Sequence, residues 1–190
     1  MKRTSLANAL ATSALVSLLA ACATAQMAPM AAMPAMYDQS ALPDAVKVPA
    51  GNKVAMETVG VGQITYECRD KKDAAGQYEW VFVGPDAALN DRSGKKIGKY
   101  FGPPATWENM DGSKITATQV AVAPAGAGNI PSQLVKANPA MGAGAMMGVT
   151  YIQRVATKGG VAPAIACDMG SKGKKEIVNY QADYIFYKSM

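Results

Sequence analysis

The chain has 190 residues, a formal charge of +5 from 19 basic and 14 acidic side chains, and no histidine. With an N-terminal leader and tether set aside, that length holds one domain with a single core, burying roughly 70% of the surface its unfolded chain exposes. The missing histidine removes most catalytic zinc and type-2 copper sites and every Ser-His-Asp or Cys-His machine; carboxylate chemistry and oxygen-ligated calcium stay open.

The N-terminus reads as an address. Lys2 and Arg3 form a charged start, and Leu6 to Leu19 a mostly apolar stretch diluted by Asn8, Thr12, Ser13 and Ser17. This is too short and too polar for a membrane-spanning helix and suits a signal peptide over residues 1–21. Leu19-Ala20-Ala21-Cys22 has the form of a lipobox, in which the cysteine thiol takes a diacylglycerol and cleavage falls just before it. Ala23-Thr24-Ala25 offers a competing ordinary site, which would release a soluble periplasmic or secreted protein starting at Gln26. The lipobox is the more specific match. No aspartate follows Cys22, so the expected destination is the outer membrane of a bacterial envelope, with the membrane as a partner through the N-terminal lipid.

The cysteine count supports this. Lipidation takes Cys22 and leaves Cys68 and Cys167. In an oxidising compartment that pair reads as a disulfide closing a loop of about 100 residues; two buried free thiols are the alternative.

Residues 22–45 read as a lipidated tether. Met27, Met30, Met33 and Met36 recur every third residue among Ala and Pro. Thioethers are soft ligands suited to Cu(I), but Pro29 and Pro34 block a regular helix that would align the sulfurs. The favoured reading is a flexible Ala/Pro tether, with methionine-based copper handling behind it.

Residues 46–190 are expected to form one all-β domain. Val54–Val59, Gln63–Arg69, Tyr78–Val83, Lys95–Phe101, Lys114–Ala123, Gly148–Thr157, Val161–Asp168 and Glu176–Lys188 are short and rich in β-branched or aromatic residues. Turn residues fill the gaps at Gly60 to Gly62, Gly84-Pro85-Asp86, Asp91 to Gly94 and Asp111-Gly112. The last segment alternates, with Tyr180, Ala182, Tyr184 and Phe186 on one face and Gln181, Asp183, Ile185 and Tyr187 on the other. One or two helical turns are expected near Pro131 to Ala137. About eight short strands with turn-rich gaps argue for a β-sandwich or closed β-barrel, with Cys68 and Cys167 each ending a strand. The Gly-rich stretch from Pro139 to Gly148 lacks both the spacing and the βα context of a nucleotide loop. The lysines are scattered in short pairs such as Lys71-Lys72, without interleaved aromatics, so nucleic acid is not an expected partner.

The best cluster for chemistry is Trp107-Glu108 with Asp111-Gly112-Ser113. Trp107 offers a stacking face for a sugar or other flat ligand. Glu108 could pair with Asp111, Asp183 or Glu67 as acid and base in glycoside hydrolysis. The simpler reading makes Asp111-Gly112 a hairpin turn and Trp107 a core residue. Arg154 sits in an apolar strand, YIQRV; its guanidinium suits an anionic ligand, or a structural carboxylate such as Asp183 or Glu108.

Several segments together resemble the family of domains of unknown function numbered 3455. They are Gln63 to Cys68 (QITYEC), Trp80-Val81-Phe82, Gly102 to Ser113 (GPPATWENMDGS), Ile152-Gln153-Arg154-Val155, Gly159 to Pro163, Cys167 and Ala182 to Tyr187. The resemblance spans nearly all of the chain from Val46. It implies a secreted protein of bacterial or fungal type with no established activity. Some fungal members carry a malate dehydrogenase label, for which this chain offers neither a Rossmann pattern nor a histidine. The family's histidine before Gly-Pro is replaced here by Lys99-Tyr100-Phe101, and its Trp-Leu-rich segment by Ser132-Gln133-Leu134-Val135.

The expectation is an exported lipoprotein acting as a non-catalytic binding or structural module. It would need no cofactor and no metal, and would take a small-molecule or glycan ligand. A hydrolase using Glu108 and Asp111 stands second.

Overall fold

The structure, a computed structural model, describes residues 37–190. Residues 1–21, expected as a signal peptide, lie outside the described residues, as do Cys22 and the Met27, Met30, Met33 and Met36 repeat.

Eight antiparallel strands form one sheet: β1 (Asn52–Asp70), β2 (Tyr78–Asn90), β3 (Lys96–Phe101), β4 (Thr106–Asn109), β5 (Lys114–Ala123), β6 (Ser132–Ala137), β7 (Val149–Gly159) and β8 (Lys175–Ser189). Ring order follows chain order, and β1 pairs with both β2 and β8, so the sheet closes into a barrel. Closure removes the unpaired edges that an open sheet would present to other chains.

The strand count agrees with the sequence, but its distribution does not. Val54 to Val59 and Gln63 to Arg69 belong to one 19-residue strand that runs through Gly60 and Gly62. Both glycines face inward. A Cβ on Gly60 would meet the Tyr184 ring, and one on Gly62 would meet the β2 backbone at Asp86 and Ala87. They mark close approach inside a small barrel rather than a turn. Likewise β2 continues through Gly84-Pro85-Asp86 to Asn90. The helix expected over Pro131 to Ala137 is instead β6, paired with β5 and β7. Val161 to Asp168, expected as a strand, is a loop; Pro163 lacks the ladder N–H, and positive φ at Gly159 and Gly160 ends β7. Cys167 therefore lies in a loop, and its disulfide with Cys68 (Cα–Cα 5.5 Å) ties the β7–β8 loop to the far part of β1.

An eight-stranded barrel is just wide enough for side chains to fill it. Here the filling is Ile64, Tyr66, Leu89, Tyr100, Trp107, Ile115, Val135, Ile152, Tyr180, Tyr184 and Phe186, all buried. The alternation read in β8 holds: Tyr180, Ala182, Tyr184 and Phe186 point inward. Of the opposite face, Ile185 and Tyr187 are buried as well, because Tyr37 to Val48 crosses the outside of the barrel and packs Val46 and Val48 against Ala123, Leu134, Val155, Ile185 and Tyr187. Gln153 fastens this strap. Its Nε2 donates to Val46 O (2.6 Å) and to Gln39 Oε1 (2.9 Å), and its Oε1 accepts from the Tyr187 hydroxyl (2.8 Å).

Candidate functional site

The two ends of the barrel differ. One end carries the β4–β5 hairpin and the β6–β7 loop, and that loop plugs it with Met146, which is fully buried. Asp111 builds the plug. Its Oδ1 accepts from the Ser113 backbone N–H (2.9 Å) and hydroxyl (2.6 Å), and its Oδ2 accepts from Ala145 N–H (2.7 Å). Ser113 Oγ in turn accepts from Met146 N–H (3.2 Å). Gly144 lies so close to the Asp111 carboxyl that a Cβ would collide with it. The Ser113 hydroxyl and the two backbone N–H groups hold the Asp111 carboxyl below its ordinary pKa. Asp111 is thus a structural latch, engaged at all its nearby donors.

Glu108 faces outward from β4 and lies 3.4 Å from both Lys99 and Lys114 on the flanking strands. The other carboxylates considered as its partners are also committed: Glu67 to Arg69 (3.0 Å) and Asp183 to Arg92 (2.7 Å). Glu108 and Asp111 therefore serve two separate local networks. Trp107 is 2% exposed and stacks on Tyr100, with centroids 4.7 Å apart, so no outer ligand reaches its face. Its indole N–H has no partner among the described residues. Among the described residues, no group of three or more His, Cys, Asp or Glu side chains is placed to hold a metal.

The other end is built by β1 and β2, which run on to the Cys68 level, and by the β3–β4, β5–β6 and β7–β8 loops. Ile130 and the Gly160 backbone roof part of it, where Tyr66 donates its hydroxyl to Gly160 O (2.8 Å). Elsewhere the inward-facing register positions stay in solvent: Phe82, paired with Tyr66, is 51% exposed, and Val122, paired with Gln133, is 46% exposed. A cross-strand row runs along the inner face from this rim into the core: Val122, Gln133, Arg154, Tyr184. Beside Val122, the β5–β6 loop from Pro124 to Pro131 encloses a largely apolar groove of about 460 Å³.

Arg154 is the charged member of that row. Of the three described arginines, Arg69 and Arg92 bridge carboxylates, and Arg154 has none within 4.0 Å among the described residues. Neither Asp183 nor Glu108 serves it. Instead its Nε and one Nη donate to Pro131 O (3.2 and 3.0 Å). A guanidinium offers five N–H groups, so the edge formed by its two Nη atoms keeps donors to spare. The charge reaches the interior. Burial raises the phenol pKa values of Tyr66, Tyr100, Tyr180 and Tyr184, and Arg154 pulls each of them back down. Next along the row, Gln133 donates to Gln119 Oε1 (2.6 Å) at the rim.

A charge within an apolar strand made Arg154 visible in the sequence. Phe82, Val122 and Gln133 gave no such signal, because their common direction depends on strand register. No curated protein and no solved structure matches this chain. The family model described as protein of unknown function (DUF3455) matches residues 49–188, which takes in all eight strands but for the last residue of β8, and the chain belongs to that family.

Proposed function

We propose that this protein is an exported, lipid-anchored module of the bacterial envelope that binds a small molecule without chemical change, at the barrel end bordered by Phe82, Val122, Gln133 and Arg154. One observation carries the binding reading: this end combines an arginine that has no carboxylate partner among the described residues with exposed, inward-facing apolar side chains and an adjoining groove. Mouths of β-barrels are frequent ligand sites, and a few polar groups in an apolar setting are their usual composition. The non-catalytic part rests on the carboxylates. Glu108 is held between two lysines and Asp111 within a hairpin latch, so neither is placed as an acid or base opposite a bound substrate.

The address rests on the lipobox ending at Cys22 and on the even cysteine pair that lipidation leaves. Two measurements test the proposal. Backbone amide shifts of the full chain, recorded against a library of small fragments, should move around Val122, Gln133 and Arg154; hits confined to other surfaces would overturn the binding reading. Intact mass of membrane-extracted protein should show a diacylated Cys22 at the mature N-terminus. An unmodified chain starting at Gln26 would overturn the anchor.

A further inference from the structure

We infer that the ligand of the open barrel end is an amphipathic monocarboxylate: its carboxylate sits on the Nη edge of Arg154, and its apolar tail lies along Val122 into the groove of the β5–β6 loop. The inference rests on the binding reading above and names the class of molecule that the same site selects.

Three features define the class. The first is charge. Arg154 is the only cation in the inward-facing row; Lys158 on its own strand and Lys136 on β6 occupy outward register positions. One planar guanidinium edge matches one carboxylate by two parallel N–H···O bonds. A phosphate dianion would find no second cation in the row. The second is geometry. Pro131 O already occupies the Nε side of the guanidinium, which fixes its plane and leaves the Nη edge for an incoming group. The third is the tail. Val122 lies two strands from Arg154 in the cross-strand row, a span of about 10 Å at ordinary strand spacing, and the groove beyond it is walled by Val122, Pro124, Ala125, Ala127 and Pro131. A carboxylate without a tail would leave these side chains in water; a tail without a carboxylate would leave the arginine unanswered.

The test uses the full chain carrying Cys22→Ser, so that no acyl group competes, and three probes: octanoate, octanol (same chain, no charge) and acetate (same charge, no chain). Binding is followed by backbone amide shifts at Val122, Gln133 and Arg154. Octanoate is expected to bind at least tenfold more tightly than either other probe. Arg154→Gln should weaken octanoate at least tenfold, and by a larger factor than it weakens octanol. Because Arg154 also holds Pro131, a second variant leaves that contact intact: Val122→Glu places a carboxylate on the rim and should abolish octanoate binding. If octanoate and octanol bind equally at these amides, or if either variant leaves octanoate within twofold, the carboxylate inference is overturned and the binding reading stands. If neither octanoate nor octanol shifts any residue of this end, the binding reading itself fails.

Discussion

Replacing Gln153 with leucine isolates the contribution of the strap from Tyr37 to Val48. Gln153 is fully buried and makes three hydrogen bonds, to Val46 O, Gln39 Oε1 and the Tyr187 hydroxyl. At about 1 kcal/mol net each, their loss costs about 3 kcal/mol. Leucine fills similar volume and recovers some transfer energy, but it strands Val46 O and the Tyr187 hydroxyl in an apolar layer, a penalty of about 1–3 kcal/mol per group. The two corrections oppose each other, so the loss stays at about 3 kcal/mol. In a domain near 150 residues this lowers the melting temperature by roughly 6–12 °C. The strap should also loosen before the barrel does. Hydrogen exchange of the Val48 amide, which donates to Gln39 Oε1 (2.8 Å), is expected to accelerate more than that of interior strand amides such as Ile64. Thermal unfolding by circular dichroism and exchange by mass spectrometry read the two effects. A melting temperature within 1–2 °C of the parent, with unchanged protection at Val48, would refute the claim that Gln153 fastens the strap.

Three further outcomes follow from the same geometry. Ser113 is fully buried, so Ser113→Ala removes its bond to Asp111 and leaves the Met146 N–H without an acceptor; a loss of about 2 kcal/mol in urea unfolding is expected, and an unchanged midpoint would show that the plug is held by packing alone. The Cys68→Ala/Cys167→Ala pair opens a loop spanning a sequence separation of 99, worth up to about 4.7 kcal/mol in the chain-entropy view. Proteolysis in native buffer should then begin in the β7–β8 loop, and cleavage starting elsewhere would contradict the assigned role. Burial raises the phenol pKa values of Tyr184, Tyr180 and Tyr187, and burial aided by nearby carboxylates pushes Tyr37 to about 12. A neutral phenol favoured by the fold stabilises it fully below the ordinary tyrosine value near 10, and that stability is lost as pH rises through the raised native values. Phenolate absorbance from these four should therefore appear above that value together with loss of β signal; complete titration near pH 10 in an intact fold would contradict their burial.

The parts of the fold that were legible in the sequence are those where period alone decides. β8 alternates over its whole length, and its inward and outward sets were separable by inspection. β6 has six residues, too few for its apolar pair Leu134-Val135 to distinguish strand from helix, and it is a strand because β5 and β7 supply both its edges. β4, Thr106–Asn109, is shorter still and was read only as a motif. Inward glycines in β1 resembled a turn because a bare sequence cannot show that a ring lies over them. The candidate site divides similarly. Arg154 was readable as a misplaced charge, whereas its lack of an anion is a property of register: the carboxylates that might have met it, Asp183 and Glu108, point out of the barrel toward Arg92 and toward Lys99 and Lys114. Trp107 carried two readings, and its place beside Tyr100 and Tyr184 inside the barrel selects the core.

Seven of the eight strand pairings join neighbours along the chain, and the eighth, β1 with β8, joins Asn52 to Ser189. That seam sets an order of events. During synthesis or export in the N-to-C direction, β1 can pair early with β2, but its other edge must wait until β8 has been made. The wait carries the largest loop-closure entropy in the molecule and is therefore the expected slow step of folding. A chain cut short before β8 would expose two raw strand edges, on β1 and β7, and would template its own aggregation. The same seam brings Met190 N–H to Gly51 O (3.0 Å). Joining the chain across that point and opening new ends in the exposed β1–β2 hairpin would make β1–β8 a local pairing and leave β1–β2 as the chain-spanning one, so the slow closure is expected to move to that pair and not to disappear.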